Sequence, residues 1–288
     1  MVVAVFVGDP GVDDALALGV FAGHEVALSL VVAAAGNVDV ETAAAVASGV
    51  VAVLKLDCPV QAARAVSLTK RPQIEGEDPF HGSDGFAGQL TALPHAPAAE
   101  DFQPHLLDTT DVFASGPLSA VSAAIEAGAV PSRVMWMGGA IAGGNITAAA
   151  EFNAWCDPSA ADLVLSSGVP VDIVPLDVTT RVRLARSDIE RWNGASLTAS
   201  ILGAAFSAML DRGESTPHDA VAAIAWLARD RFAWESHHVR CETSGTHKRG
   251  ALIVDRRPWG AQGSTQVAVD IDDIAVRREI VESIASLP

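Results

Sequence analysis

Short apolar runs that stop at glycine alternate with longer stretches in which Ala, Val and Leu recur at helical spacing. Residues 2–7 form a continuous β-branched and aromatic run ending at Gly8, the pattern of a strand buried on both faces. Residues 13–23 follow as a helix with acids in its first turn, where the helix dipole favours them. Residues 26–35 repeat the strand pattern up to Gly36-Asn37, and residues 40–54 form a second apolar helix started near Asp39. Strand, helix, strand, helix is the unit of a parallel sheet. The rhythm resumes with a strand at 112–114, a helix at 118–127 and a strand at 133–137. A helix from Asp157-Pro158 to residue 167 carries proline in its first turn, and a strand follows at 171–175. Residues 186–210 are mostly helical, and a helix at 219–230 follows Pro217-His218. Beyond residue 233 the pattern shifts to strands at 238–243, 251–255 and 265–270, closed by a helix at 273–286.

The expected fold class is α/β: one domain over residues 1–288, Rossmann-like, with a mostly parallel central sheet flanked by helices and a β-rich C-terminal part. No internal repeat, low-complexity linker or composition break divides the chain. Residues 70–97 interrupt the rhythm with Gly, Pro, His and acids, including Pro79-Phe80-His81-Gly82-Ser83-Asp84-Gly85. Such a segment inside a compact domain is usually functional or mobile.

Composition narrows the function classes. The chain is 50% hydrophobic, 19% charged and 5% aromatic, which describes a packed globular protein. Its net charge of −16 argues against binding nucleic acid through phosphates or docking on an anionic membrane. Cys58, Cys156 and Cys241 are odd in number and widely spaced, so neither a disulfide framework nor a cysteine zinc site is expected. The first apolar run lacks a basic start and is cut short by Asp9, unlike a signal peptide or a membrane span. No later segment is long and apolar enough to span a bilayer, and the expected location is cytoplasmic. Trp136, Trp192 and Trp226 lie in apolar patterns and read as core, as does Trp155 despite following Asn153 closely.

The chemistry concentrates at Gly8-Asp9-Pro10-Gly11-Val12-Asp13-Asp14. Three carboxylates this close repel one another unless a positive charge sits among them, and a hard cation with oxygen ligands is the simplest candidate. The cluster follows a strand, and ligands of open α/β sheets bind beyond the carboxyl ends of strands. Asp9 at the strand end and Asp14 one turn into the helix converge on one ion, with Asp13 directed elsewhere. Gly144-Asn145 with Glu151-Phe152-Asn153 supplies an acid and two amides that could bind hydroxyl groups, although by itself this motif reads better as a polar loop with an N-cap. His218-Asp219 at the head of an apolar helix reads by itself as a cap with a neighbouring surface histidine.

In combination these residues carry more. Asp9-Pro10-Gly11-Val12-Asp13-Asp14, Gly36-Asn37, His81-Gly82, Ser115-Gly116-Pro117-Leu118, Met137-Gly138-Gly139, Asn145, Glu151-Phe152-Asn153, Asp157-Pro158, His218-Asp219 and Thr265-Gln266-Val267-Ala268 stand in this order. The chain resembles the inosine-uridine-preferring nucleoside hydrolase family from Val3 to about Asp270. The resemblance implies Ca²⁺ held by the carboxylates of Asp9, Asp14 and Asp219 and by the backbone carbonyl of Ser115. It implies that Asp13 and Asn153 hold the ribose 2′- and 3′-hydroxyls, and that Asn145 and Glu151 hold the 5′-hydroxyl. Asn37 matches a residue near the metal-bound water, and His81 and His218 match residues around the base. The implied reaction is hydrolysis of the N-glycosidic bond of a ribonucleoside through an oxocarbenium-like sugar, with water activated by the metal and Asp9. His218 is the candidate acid for the leaving base, and Phe206 a candidate stacking partner. Relatives form dimers or tetramers, so a homodimer or homotetramer is expected, with a small ribonucleoside as substrate and neither nucleic acid nor membrane as partner.

The sequence departs from the family pattern in four places. Val7 and Gly8 stand where the family carries Asp-Thr before the metal-binding acid. Ala120 replaces an asparagine after Gly116-Pro117-Leu118-Ser119, the stretch from His81 to Ser115 is short enough to have lost a helix, and the chain contains no tyrosine. These departures motivate a second reading, a relative that keeps the ribose and metal site but turns over poorly or not at all. A haloacid-dehalogenase-like phosphatase also places acids after its first strand. That chemistry needs two aspartates separated by one residue, whereas Asp9 and Asp13 are separated by three.

Overall fold

A computed structural model describes residues 4–66, 68, 80–261 and 263–288. The first part of the chain contributes β1 (Ala4–Gly8), α1 (Val12–Gly23), β2 (Leu28–Ala33), α2 (Val40–Val53), β3 (Val60–Ala62) and β4 (Glu100–Asp101). The middle contributes β5 (Asp111–Ala114), α3 (Ser119–Glu126), β6 (Arg133–Met137), α4 (Phe152–Cys156), α5 (Pro158–Ser166), β7 (Val171–Val174), α6 (Leu176–Thr179) and α7 (Arg186–Glu190). The remainder is α8 (Leu197–Asp211), α9 (His218–Leu227), β8 (Phe232–Cys241), β9 (Leu252–Asp255), β10 (Thr265–Ile271) and α10 (Asp273–Ala285).

These strands form one sheet in the order β4-β3-β2-β1-β5-β6-β7-β10-β8-β9. Pairing is parallel from β4 across to β10, and β8 and β9 are added antiparallel. This is the expected single α/β domain with a mostly parallel sheet and a β-rich C-terminal part. The strand period of two divides the core. Ala4 and Phe6 of β1 face a core closed by α1, α2, α8, α9 and α10, whereas Val5 and Val7 face one closed by α3 and α5. Phe6, Phe21 and Phe113 pack at ring separations of 5.0–6.4 Å in the first core.

The chain lays β2, β3 and β4 on one side of β1 and then returns to lay β5 on the other. The carboxyl ends of β1 and β5 therefore flank a topological switch point, where the connecting segments diverge and leave a crevice. Asp9 follows β1 and Ser115 follows β5, so the first acid of the sequence motif opens onto that crevice.

Several elements differ from the sequence expectation. The stretch expected as mostly helical at 186–210 breaks into α7 and α8, because Gly194 takes φ +83° and Ser196 caps the new helix through Ala199 N–H. β8 begins at Phe232 rather than 238, since its half-exposed first half contains Glu235, Ser236 and His237 and does not read as apolar. Among the described residues no α-helix lies between Val53 and Ser119. Residues 2 and 3 of the expected first strand and 70–79 of the interrupted segment lie outside the described residues. No described helix is long and apolar enough to cross a membrane. The three cysteines are free thiols, and burial pushes Cys58 up to about 11 and Cys241 up to about 12, which leaves both inert.

Candidate active site and metal centre

Asp9, Asp13, Asp14 and Asp219 meet at the switch point, and all four are almost fully buried. Asp9 is held from three directions. Its Oδ2 accepts the Asn37 N–H at 2.7 Å. Glycine at 36 and 116 lets the backbone close over it: a Cβ at Gly36 would lie 2.0 Å from Oδ2, and one at Gly116 2.5 Å from Oδ1. Asp14 stands in the first turn of α1, where its Oδ2 accepts the Gly11 N–H at 2.9 Å. Its Oδ1 accepts the Ser115 hydroxyl at 2.6 Å, tying α1 to the end of β5. Asp219 stands in the first turn of α9, which packs against α1, so two helix N-termini bring their positive ends to the acids.

Carboxylate oxygens of Asp13, Asp14 and Asp219 lie within 4.8 Å of one another. The converging set thus includes Asp13, expected from the spacing alone to point away, while Asp9 lies outside this triplet. The reason is local: Asp13 and Asp14 both sit in the first turn of α1, and Asp219 approaches from the first turn of α9. The Asp13 and Asp219 carboxylates face each other within this triplet. Two carboxyls this close favour a proton or a cation between them. Burial, followed by mutual repulsion, raises Asp9 and Asp219 well above the usual carboxylate range. Burial also brings Asp13 and Asp14 up to about 6. A buried all-oxygen cluster with this surplus of negative charge fits a hard divalent cation.

Beside the acids a cavity of about 1230 Å³ opens to solvent. Asp13, Asn37, His81, Ser115, Asn145, Glu151, Asn153, His218 and Asp219 all line it. Asp9 and Asp14 are not among its lining residues and belong to the layer beneath. Asn153 Nδ2 donates to the carbonyls of Ser115 at 3.0 Å and Met137 at 3.1 Å, which joins the ends of β5 and β6 through one amide. Glu151 caps α4: its oxygens accept Gly139 N–H at 2.7 Å, Asn153 N–H at 2.8 Å and Ala154 N–H at 3.1 Å. Burial raises its pKa nonetheless. Asn145 Oδ1 accepts the Phe152 N–H at 3.0 Å, so the loop before α4 and the helix itself are one unit.

The histidines stand on the opposite side. His81 Nδ1 accepts the Val12 N–H at 3.1 Å, which leaves a neutral ring with its proton on Nε2, 3.7 Å from Asp13 Oδ1. Burial lowers its pKa. His218 Nδ1 shares a 2.8 Å hydrogen bond with the Thr179 hydroxyl, and burial brings its pKa down to about 4. At neutral pH His218 is an uncharged imidazole fixed by α6. Thr179, at the end of a short element with no sequence pattern of its own, was invisible to sequence reasoning. So were Met209, Glu214 and Arg183, which complete the cavity wall with Met137 of the Met137-Gly138-Gly139 motif.

One expected site residue is elsewhere. Phe206 is fully buried, 6.4 Å from Trp192 ring to ring, and does not line the cavity. Its place on the inner face of α8 makes it a core residue, and Met209 of the same helix reaches the cavity instead. Trp136 and Trp192 are core as expected, while Trp226 is partly buried.

A parallel-sheet fold with a buried acid cluster at the switch point, next to amides and carboxylates suited to a polyol, defines an α/β protein with a site for a small hydroxylated ligand. The comparisons make this particular. Residues 5–278 match the family model of the inosine-uridine preferring nucleoside hydrolases. The non-specific ribonucleoside hydrolase RihC of Klebsiella pneumoniae subsp. pneumoniae is 33% identical over 299 aligned residues, covering 97% of each chain. The enzyme of the same name from Escherichia coli O1:K1 is 31% identical over 96% of each chain. Among solved structures, a purine-preferring ribonucleoside hydrolase from Gardnerella vaginalis superposes with a TM-score of 0.86 at 24% identity, over 99% of this chain and 98% of that one. A plant nucleoside hydrolase superposes at 0.87 and 24%, over 98% of each chain. This chain belongs to the inosine-uridine preferring nucleoside hydrolase family, and it is a nucleoside hydrolase.

Proposed function

We propose that the protein is a Ca²⁺-dependent ribonucleoside hydrolase that cleaves the N-glycosidic bond to give ribose and a free base. The observation that carries this reading is the convergence of Asp9, Asp13, Asp14 and Asp219 beside a cavity lined by Asn145, Glu151 and Asn153. Asp9, Asp14, Asp219 and the Ser115 carbonyl would hold the ion, and Ca²⁺ accepts about six to eight such oxygens. When bound, the ion supplies Lewis acidity and an anchor for sugar hydroxyls.

The protein's own groups supply the rest. Asp9, almost fully buried, takes the proton of the attacking water. The Asn37 N–H fixes the orientation of the accepting carboxylate. Asp13 and Asn153 hold the 2′- and 3′-hydroxyls, and Asn145 and Glu151 the 5′-hydroxyl. Carboxylates around the ring favour the positive charge that develops on the sugar as the bond to the base lengthens. His218, neutral and oriented by Thr179, donates toward the departing base through its ring N–H when the threonine hydroxyl donates to Nδ1. Oligomer formation and a cytoplasmic location belong to the same proposal by analogy with the family.

Val7 does not favour the inactive alternative. It is buried in the apolar core between Val32 of β2 and Ala114 of β5, and Ala120 lies in that same core, so both lost polar groups are replaced by packed hydrocarbon. The test is release of ribose from a panel of purine and pyrimidine ribonucleosides. Turnover of at least one nucleoside is expected, with 2′-deoxynucleosides much poorer. Ribose or nucleoside binding without turnover of any panel member would establish the non-catalytic alternative.

A further inference from the structure

The hairpin between β8 and β9, at the far edge of the sheet, touches the substrate-binding loop from behind. Arg249 donates from its guanidinium to the Trp155 carbonyl near the end of α4, and its Cζ lies 4.9 Å over the Trp155 ring. The next residue, Gly250, has φ +81°, and a Cβ there would lie 2.7 Å from Trp155 Cα and 3.1 Å from Ala150 Cβ. Leu252, the first residue of β9, packs onto Gly139, whose N–H is bonded to Glu151. None of these three hairpin residues lines the cavity.

The target of this contact is a weak element. α4 has only five residues and is too short to hold itself together, since helix nucleation costs more than one turn returns. It nevertheless carries Asn153, and its cap is Glu151. Its N-terminus is fixed by the Glu151 cap, whereas its C-terminus is fixed from outside by a cation that both bonds the Trp155 carbonyl and stacks on the indole. A positive group near the last carbonyls of a helix is favourable in its own right.

The geometry points to Arg249 as a positioning residue: with Gly250 and Leu252 it makes the β8–β9 hairpin a buttress that holds Asn153 and Glu151 against the ribose. This rests on the proposed assignment of those two residues to the sugar hydroxyls. Removing the guanidinium frees the end of α4 and loosens the sugar, so reactive alignment suffers although no group touching the substrate has changed.

The test is a double-mutant cycle on the intact protein, with kcat/KM for an activated nitrophenyl riboside and ribose affinity by calorimetry. Arg249→Met is expected to lower kcat/KM by about tenfold, the scale of one charge-assisted hydrogen bond. In an Asn153→Ala background the same change is expected to cost clearly less than it does alone, because one of the two residues it positions is gone. Arg249→Lys, which keeps the charge and loses the planar fork, is expected to fall between, and it stands in for Arg249→Met if the latter fails to fold. Equal factors in both backgrounds, or a lower Tm with unchanged kinetics, would overturn the buttress. If the unmodified protein hydrolyses no nucleoside, the proposed function falls. The ribose affinities of the same four proteins then decide the buttress alone.

Discussion

Asp9 is the base of the proposed reaction, and its surroundings raise its pKa in the metal-free fold. It is buried, it faces the charge of Asp14, and one N–H from Asn37 does not compensate for both. Asp9→Ala is therefore expected to reduce kcat by at least ~10²-fold in steady-state assays, the usual worth of a positioned base, and near-normal turnover would remove its role. His218 presents the converse case. Burial lowers it to about 4, so it works as a neutral donor rather than a cation at physiological pH. His218→Ala is expected to slow nucleosides with poor leaving groups by about tenfold or more relative to nitrophenyl ribosides, which need little help at the base. Equal losses on the two substrates would show that its contribution is not a hydrogen bond to the departing base.

At the scale of elements, the glycines after the strands decide how close the backbone comes to Asp9. Gly116→Ala would place a methyl 2.5 Å from Asp9 Oδ1 and 2.9 Å from Asp9 N, with neither free to move. The expected result is a loss of roughly 1–3 kcal/mol in stability, with weaker Ca²⁺ binding in calorimetry as Asp9 is displaced. The same scale shows what the sequence could convey. β1, α1, β2 and α2 were legible because each is long or strongly apolar, and the Asp9–Asp14 cluster marked the end of β1. β3, β4, α4 and α6 were not, because two to five residues give no period to read. The site suffered accordingly. Thr179, which orients His218, lies on α6, and the clamp on α4 comes from Arg249, almost a hundred residues downstream. Phe206 was misplaced because a helix buried nearly all round, as α8 is, does not reveal which apolar residue faces a cavity.

For the whole molecule, the acid cluster is a stability cost that a cation removes. Asp13 and Asp14 rise from an ordinary 3.8 to about 6 in the metal-free fold. The folded protein thus holds protons that the unfolded chain has already released, and the associated stability is complete below about pH 4 and lost as pH rises through about 6. In the proposed function Ca²⁺ takes the place of those protons and binds the fold alone, so its stabilisation should grow with pH. Melting curves are expected to show a larger drop in Tm on chelation at pH 7.5 than at pH 5, and the reverse order would contradict the cluster's role. The measurement closest to the central claim is ribose release from uridine and inosine by chelator-stripped protein during titration with Ca²⁺. Activity is expected to vanish on stripping and to return in proportion to one bound ion per chain. Undiminished hydrolysis by metal-free protein would contradict the account.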